Sequence, residues 1–332
     1  MIKHSTFKPA WWLPNGHWQT VYPALFRRIA PEILRQRQRL QLDDGDFIDL
    51  DFYGKSHQPL VLMLHGLAGN SHSGYILGLQ SHLNQQGWSS VVMNYRGCSG
   101  EVNRLARAYH AGESDDLQHV FSYLQQRYPD RQLAVVGFSL GGNILLKWLG
   151  EGRTINGLSA AVAVSVPLQL DACATRLDTG FSRLYREYLL VDLKRYMQEK
   201  YTGLINLGLA LEAEKIMALG DLRKIHSFWE YDDQVVAKLH GFANVEAYYQ
   251  QASARQYLHA IQHPCLIVQA ADDPFMTAAV IPSADELSPS IEFELSEHGG
   301  HVGFIAGHVP GCPEYWLEQR ISAFLRCHLP AG

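Results

Sequence analysis

Five cysteines are scattered through the 332 residues, Cys98, Cys173, Cys265, Cys312 and Cys327. Their odd number and the lack of Cys-x-x-Cys spacing exclude a disulfide framework and a thiolate metal site, and fit a reducing, cytoplasmic setting. Long apolar runs are also missing. No stretch approaches the ~20 residues needed to span a bilayer, and the N-terminal Met-Ile-Lys-His-Ser-Thr-Phe-Lys-Pro is too polar for the apolar core of a signal peptide. There is no excess of positive charge: 28 Lys and Arg stand against 33 Asp and Glu, a formal net charge of −5. A nucleic-acid surface needs a basic face, so that class of partner is not expected. The one basic run, Arg27, Arg28, Arg35, Arg37 and Arg39, reads as cover for a solvated helix and strand start. The Trp-rich segment Trp11-Trp12-Leu13-Pro14-Asn15-Gly16-His17-Trp18-Gln19-Thr20 reads as an arm packed over the domain, and leaves peripheral lipid contact open.

What is abundant is ordinary globular material, 47% hydrophobic and 18% charged. Alternation at residues 36–42 and 47–53 around Asp44-Gly45 predicts an antiparallel hairpin. From residue 59 the apolar runs lose their alternation: 59–66, 88–95, 132–139, 158–167 and 264–270, with 291–296 as one more strand. Uninterrupted runs suit strands buried on both faces of a mostly parallel sheet. Helical periodicity separates them at 74–86, 115–127 and 141–149, and a last helix is expected at 314–327. Eight strands in this rhythm predict a three-layer α/β fold. The rhythm stops after residue 167 and resumes near 264, with helical patterns between. The expected organisation is therefore a core of residues 1–167 and 257–332 with a helical cap inserted at 168–256, after the sixth strand, where lids sit in such sheets.

The candidate chemistry begins at Gly137-Phe138-Ser139-Leu140-Gly141. The bare Gly-x-Ser-x-Gly pattern arises by chance. Here it directly follows a strand pattern and opens a helical one, the setting a nucleophile elbow requires. A serine needs a base and an orienting carboxylate, expected later in the chain in the order acid, then histidine. The end of the seventh strand supplies Asp272 and Asp273, and the loop after the eighth supplies Ser296-Glu297-His298-Gly299-Gly300-His301. An oxyanion site would take the backbone amides of Leu140 and of Leu67, in the loop His65-Gly66-Leu67. His65 itself is expected to hydrogen-bond within its loop, and Arg96 to make a structural ion pair. Metal binding by His298 and His301 is disfavoured, because Gly-Gly between them opposes a helix and spacing indicates no third ligand. No cofactor is expected.

Together, Trp11–Thr20, Leu64–Tyr75, Asn94–Gly100, Gly137–Asn143, Ala270–Phe275 and Gly299–Phe304 give the chain a resemblance to the α/β-hydrolase superfamily. More narrowly it resembles the YheT-like branch of bacterial hydrolases, related to eukaryotic α/β-hydrolase-domain lipases. The resemblance spans nearly the whole chain. It implies Ser139 as nucleophile, Asp273 as orienting acid, His301 as base, and the amides of Leu67 and Leu140 as oxyanion donors. Ala270 departs from the usual glycine three residues before the acid. The activity so implied is hydrolysis of small-molecule acyl esters, short to medium in chain length, through an acyl-enzyme. A thioesterase or acyltransferase acting on lipid-like acyl substrates would use the same residues, and His110 and Asp115 fit an His-x4-Asp pattern associated with acyl transfer. A non-catalytic binding module on this fold is the reading from a different class, and no triad member is missing to favour it.

Overall fold

The structure is a computed structural model describing residues 2–27, 34–55 and 59–329; Arg28 of the basic run lies outside them. The strands of the main sheet are β1 (Ile2–His4), β2 (Gln36–Gln41), β3 (Phe47–Tyr53), β4 (Leu60–Leu64), β5 (Ser89–Asn94), β6 (Leu133–Phe138), β7 (Leu158–Val164), β8 (Cys265–Ala270) and β9 (Ile291–Ser296). They lie in the order β1-β9-β8-β7-β6-β4-β5-β3-β2. All neighbours from β1 to β5 pair parallel, while β3 pairs antiparallel with both β5 and β2. The eight expected strands are present, and β1 makes nine in this sheet. Its Ile-Lys-His is too short to carry a period, and it becomes a strand by pairing with the edge of β9.

The helices are α1 (Gly16–Phe26), α2 (Gly74–Gln85), α3 (Ser114–Arg127), α4 (Leu140–Gly150), α5 (Leu170–Leu177), α6 (Ser182–Asn206), α7 (Ala210–Met217), α8 (Phe228–Tyr231), α9 (Lys238–His240), α10 (Val245–Ala252) and α11 (Trp316–Leu325). Alternate residues of the buried strands face two separate apolar layers. Leu62, Leu64, Val91 and Val135 pack with Phe121, Ile144 and Trp148 of α3 and α4. Val61, Met63, Val92 and Val136 pack with Ile76 and Leu79 of α2 and Ile321 of α11 on the other side. This double burial is why the strand sequences show no alternation. Between β7 and β8 the chain forms α5 to α10, with the π-helical turn Asp232–Ala237 joining α8 to α9. A short second sheet pairs β10 (Ile305–Ala306) with β11 (Glu314–Tyr315).

The basic residues are less solvated than expected. Arg37 and Arg39 lie along β2 and make paired hydrogen bonds to Asp51 and Asp49 of β3 at 2.8 Å. Opposite charges face each other across the antiparallel pair, which lets the acids stay buried. Arg96 is buried and bonds both carboxylate oxygens of Asp116 at 2.7 Å, with Asp44 at 2.8 Å, the structural ion pair expected of it.

Candidate active site

The connection after β4 leads to β5 on one side and the connection after β5 crosses back past β4 to β6, so the strand order reverses here and a crevice opens at the carboxyl ends. β4 runs into His65-Gly66-Leu67, and β6 runs into Ser139. Ser139 sits at the head of α4 with φ 51° and ψ −119°, a conformation that costs an L-residue about 1–3 kcal/mol. The flanking glycines are sterically required. A Cβ on Gly137 would lie 2.4 Å from the Gly141 carbonyl oxygen, and one on Gly141 would lie 2.6 Å from that of His65. Such a turn pushes the hydroxyl out of the sheet edge and aims the amino end of α4 at the same space.

The hydroxyl of Ser139 is 2.9 Å from Nε2 of His301, and Nδ1 of His301 is 2.7 Å from Oδ2 of Asp273. A carboxylate only accepts, so Nδ1 carries the proton, and Nε2 of the neutral ring accepts from the serine. Asp273 is buried, and its Oδ1 accepts from the Phe275 amide at 2.8 Å. The Phe275 ring stacks on His301 with centroids 4.1 Å apart. The neighbouring pair points elsewhere: Oδ2 of Asp272 lies 3.4 Å from Nδ1 of the exposed His298. Adjacent residues leaving a strand face opposite sides, so each aspartate finds its own histidine.

Three successive amides of the histidine loop are each held by a side chain. Gly300 donates to Asp272 at 2.9 Å, His301 to Thr20 at 2.8 Å and Val302 to Ser165 at 3.0 Å. Gly300 has φ 59°, and a Cβ there would meet the Gly16 carbonyl oxygen at 2.4 Å. Helix α1 is thus pressed onto this loop. Gln19, fully buried, donates to the Leu13 and Ile305 carbonyls and accepts from the Ile305 amide at 2.7 Å. The Trp-rich segment is an arm over the domain, as expected. That its Gln19 and Thr20 brace the histidine loop had no sequence signal beyond Asn15, whose side chain caps α1 by accepting from Trp18.

His65 is buried, and its roles are fixed. Nε2 accepts from the Tyr95 amide at 3.3 Å, so Nδ1 donates to the Gly66 carbonyl at 2.8 Å. Burial, against that bond, depresses its pKa to about 4 and keeps it neutral. It orders the loop that carries Leu67, as expected. His110 and Asp115 are engaged separately: His110 accepts from the Gly112 amide through Nδ1, while Asp115 pairs with Arg153 at 2.6 Å. Among the described residues His110, Glu113 and His240 have donor atoms within 4.8 Å of one another. Arg107 already donates to both oxygens of Glu113 at 2.7 Å, putting a cation where a metal's charge would go.

Ser139, His301, Leu67 and Leu140 border one cavity of about 620 Å³. Its far wall comes from the segment between β7 and β8, including Leu170, Leu177, Leu189, Phe228, Val235 and Leu239.

A sheet of this order, with a strained serine at the β6–α4 turn facing a histidine beyond β9, defines a class, and comparison with known families agrees: a model described as the alpha/beta hydrolase fold matches residues 59–307. The chain belongs to the α/β-hydrolase family. Within it, the chain belongs to the YheT-like branch. It is 41% identical to YheT of Escherichia coli (strain K12), named as a candidate esterase, over 98% of this chain and 94% of that protein. It is 28% identical to human phospholipase ABHD3, covering 98% of this chain and 80% of that protein. It is 29% identical to monoacylglycerol lipase ABHD2 of Danio rerio, covering 94% and 75%. Among solved structures the esterase Pf2001 of Pyrococcus furiosus superposes with a TM-score of 0.57 at 15% identity, covering 91% of this chain and 98% of that one, a likeness of fold. The protein is an α/β-hydrolase of the esterase and lipase type.

Proposed function

We propose that the protein is a serine esterase that cleaves carboxylic esters with a short to medium acyl chain through an acyl-enzyme. The observation that carries this reading is the unbroken chain Ser139, His301, Asp273 at 2.9 and 2.7 Å, opening on a largely apolar cavity. His301 takes the serine proton as the oxygen attacks the acyl carbon. Asp273 fixes the imidazole tautomer and stabilises its positive charge. The amides of Leu67 and Leu140 hold the oxyanion, an interaction whose loss costs about 10²–10³ in kcat. His301 then returns the proton to the leaving alkoxide, and water, activated by the same ring, releases the acid.

In this reading residues 168–256 form a cap on a core of 1–167 and 257–332, and its apolar wall receives the acyl chain. Relatives named phospholipase and monoacylglycerol lipase support a lipid-like ester. No described helix is long and apolar enough to cross a membrane, so access would be from water or from a lipid surface. Ser139→Ala should abolish hydrolysis of p-nitrophenyl acyl esters and labelling by a fluorophosphonate probe while circular dichroism stays native. Retention of most activity by the folded variant would remove Ser139 from the reaction.

A further inference from the structure

Apart from Asp273, which faces His301, the buried acids among the described residues come with cations. Asp116 has Arg96, Glu113 has Arg107, Asp51 has Arg37 and Asp49 has Arg39, all within 2.8 Å. Asp232 does not. Among the described residues it makes no ion pair, and its one side-chain hydrogen bond comes from Tyr249, whose hydroxyl donates to Oδ2 at 2.7 Å. The Tyr249 ring is fixed by Trp229 and Tyr248, at centroid distances of 4.9 and 5.4 Å, so the donor is held in place. Around it stand Phe228, Tyr231, Val235 and Tyr248, all buried. Yet Asp232 keeps part of its own surface open, and it is the one acidic residue among the described residues that border the cavity containing Ser139.

An unpaired carboxyl in an apolar setting is destabilising relative to an apolar residue of similar size. Packing of the segment gains nothing from it. A polar group in the wall of an otherwise apolar pocket does gain something when a ligand brings the partner, because such groups fix orientation and specificity. Burial, against the bond from Tyr249, raises the Asp232 pKa to about 7, so both protonation states are populated near neutral pH. A hydroxyl suits either state, since it donates to the carboxylate and accepts from the acid. An ammonium would suit only the ionised form, and a carboxylate only the protonated one.

We propose that Asp232, positioned by Tyr249, hydrogen-bonds a hydroxyl group of the substrate remote from the scissile carbonyl, making the protein selective for hydroxyl-bearing esters. The inference rests on the serine esterase reading. The hydroxyl has two sources, the acyl chain or the alcohol, and one experiment separates them. In one arm kcat/KM is compared between p-nitrophenyl esters of an ω-hydroxy fatty acid and of the unsubstituted acid of equal length. In the other it is compared between a 1-acylglycerol and the propyl ester of the same acid. Wild type should favour the hydroxylated member about 10- to 100-fold in one arm. Asp232→Leu should bring that ratio close to one, and Asp232→Asn, which keeps the shape and can still hydrogen-bond, should fall between. If Asp232→Leu does not fold, Asp232→Asn and Tyr249→Phe carry the same ratio test. Equal ratios in wild type and variants in both arms would overturn the proposal. Fluorophosphonate labelling of Ser139 is measured alongside: its absence in wild type would instead overturn the esterase reading on which the ratios depend.

Discussion

Asp272 and Asp273 are adjacent in sequence and chemically identical, but their surroundings divide them. Asp273 is buried against His301 and Phe275, while Asp272 faces the exposed His298 and holds the Gly300 amide. The two histidines divide in the same way, since only His301 reaches the serine hydroxyl. His301→Ala should therefore lose about 10⁴-fold or more in kcat, as removal of a triad base does. Asp273→Asn should lose a comparable factor by stabilising the wrong tautomer. His298→Ala should stay within a few-fold of wild type. Turnover of p-nitrophenyl butyrate measures all three, and an inactive His298→Ala beside an active His301→Ala would reverse the roles.

At the scale of elements, what was legible in the sequence followed from burial. Strands β4 to β8 are covered on both faces and so read as uninterrupted apolar runs. The elbow was legible because a strand, a glycine-flanked serine and a helix meet there by local rules. What was not legible depends on distant partners. β1 exists because β9 offers it an edge. α1 contains Pro23 and no clear apolar stripe, and it is held by Gln19 reaching β10 and Thr20 reaching the loop after β9, nearly three hundred residues away. Asp232 gave no sign either, since its isolation is a property of the folded cavity. The bracing role of α1 is testable through Gln19. Gln19→Ala leaves the buried Ile305 amide and the Leu13 carbonyl without a partner, while the Ile305 carbonyl keeps the Ala10 amide, and this should cost about 2–3 kcal/mol of stability. Because the same helix holds the His301 amide through Thr20, kcat should fall as well. A urea midpoint equal to wild type would show that the arm is dispensable to the fold.

Across the whole molecule, the buried titratable groups fix the acid side of its stability. Burial lowers the pKa of His65 to about 4. It lowers His110 to about 3, with help from Arg107 and Lys147, and His240 to about 2, with help from His110. All three rings are neutral in the fold, whereas in the unfolded chain they take up protons near pH 6.5. As pH falls from 6.5 toward 4 the unfolded state binds more protons and stability drops. Asp232 acts in the opposite sense. Its folded pKa of about 7 lies above the unfolded value, so its contribution is fully present below about pH 4 and is lost as pH rises through 7. These buried imidazoles thus pull stability down on acidification while the Asp232 carboxyl holds it up. Below pH 4 Asp51 joins the imidazoles. Bonds from Arg37, Ser71 and Asn94 outweigh its burial and hold it at about 2, so the stability it contributes above the unfolded value is lost as pH falls through 2. Urea midpoints of wild type should decline from pH 6.5 to 4, and Asp232→Leu, lacking the opposing group, should decline more steeply over that interval. Parallel curves for the two proteins would mean that Asp232 titrates alike in the folded and unfolded chain, and that its burial does not govern its charge.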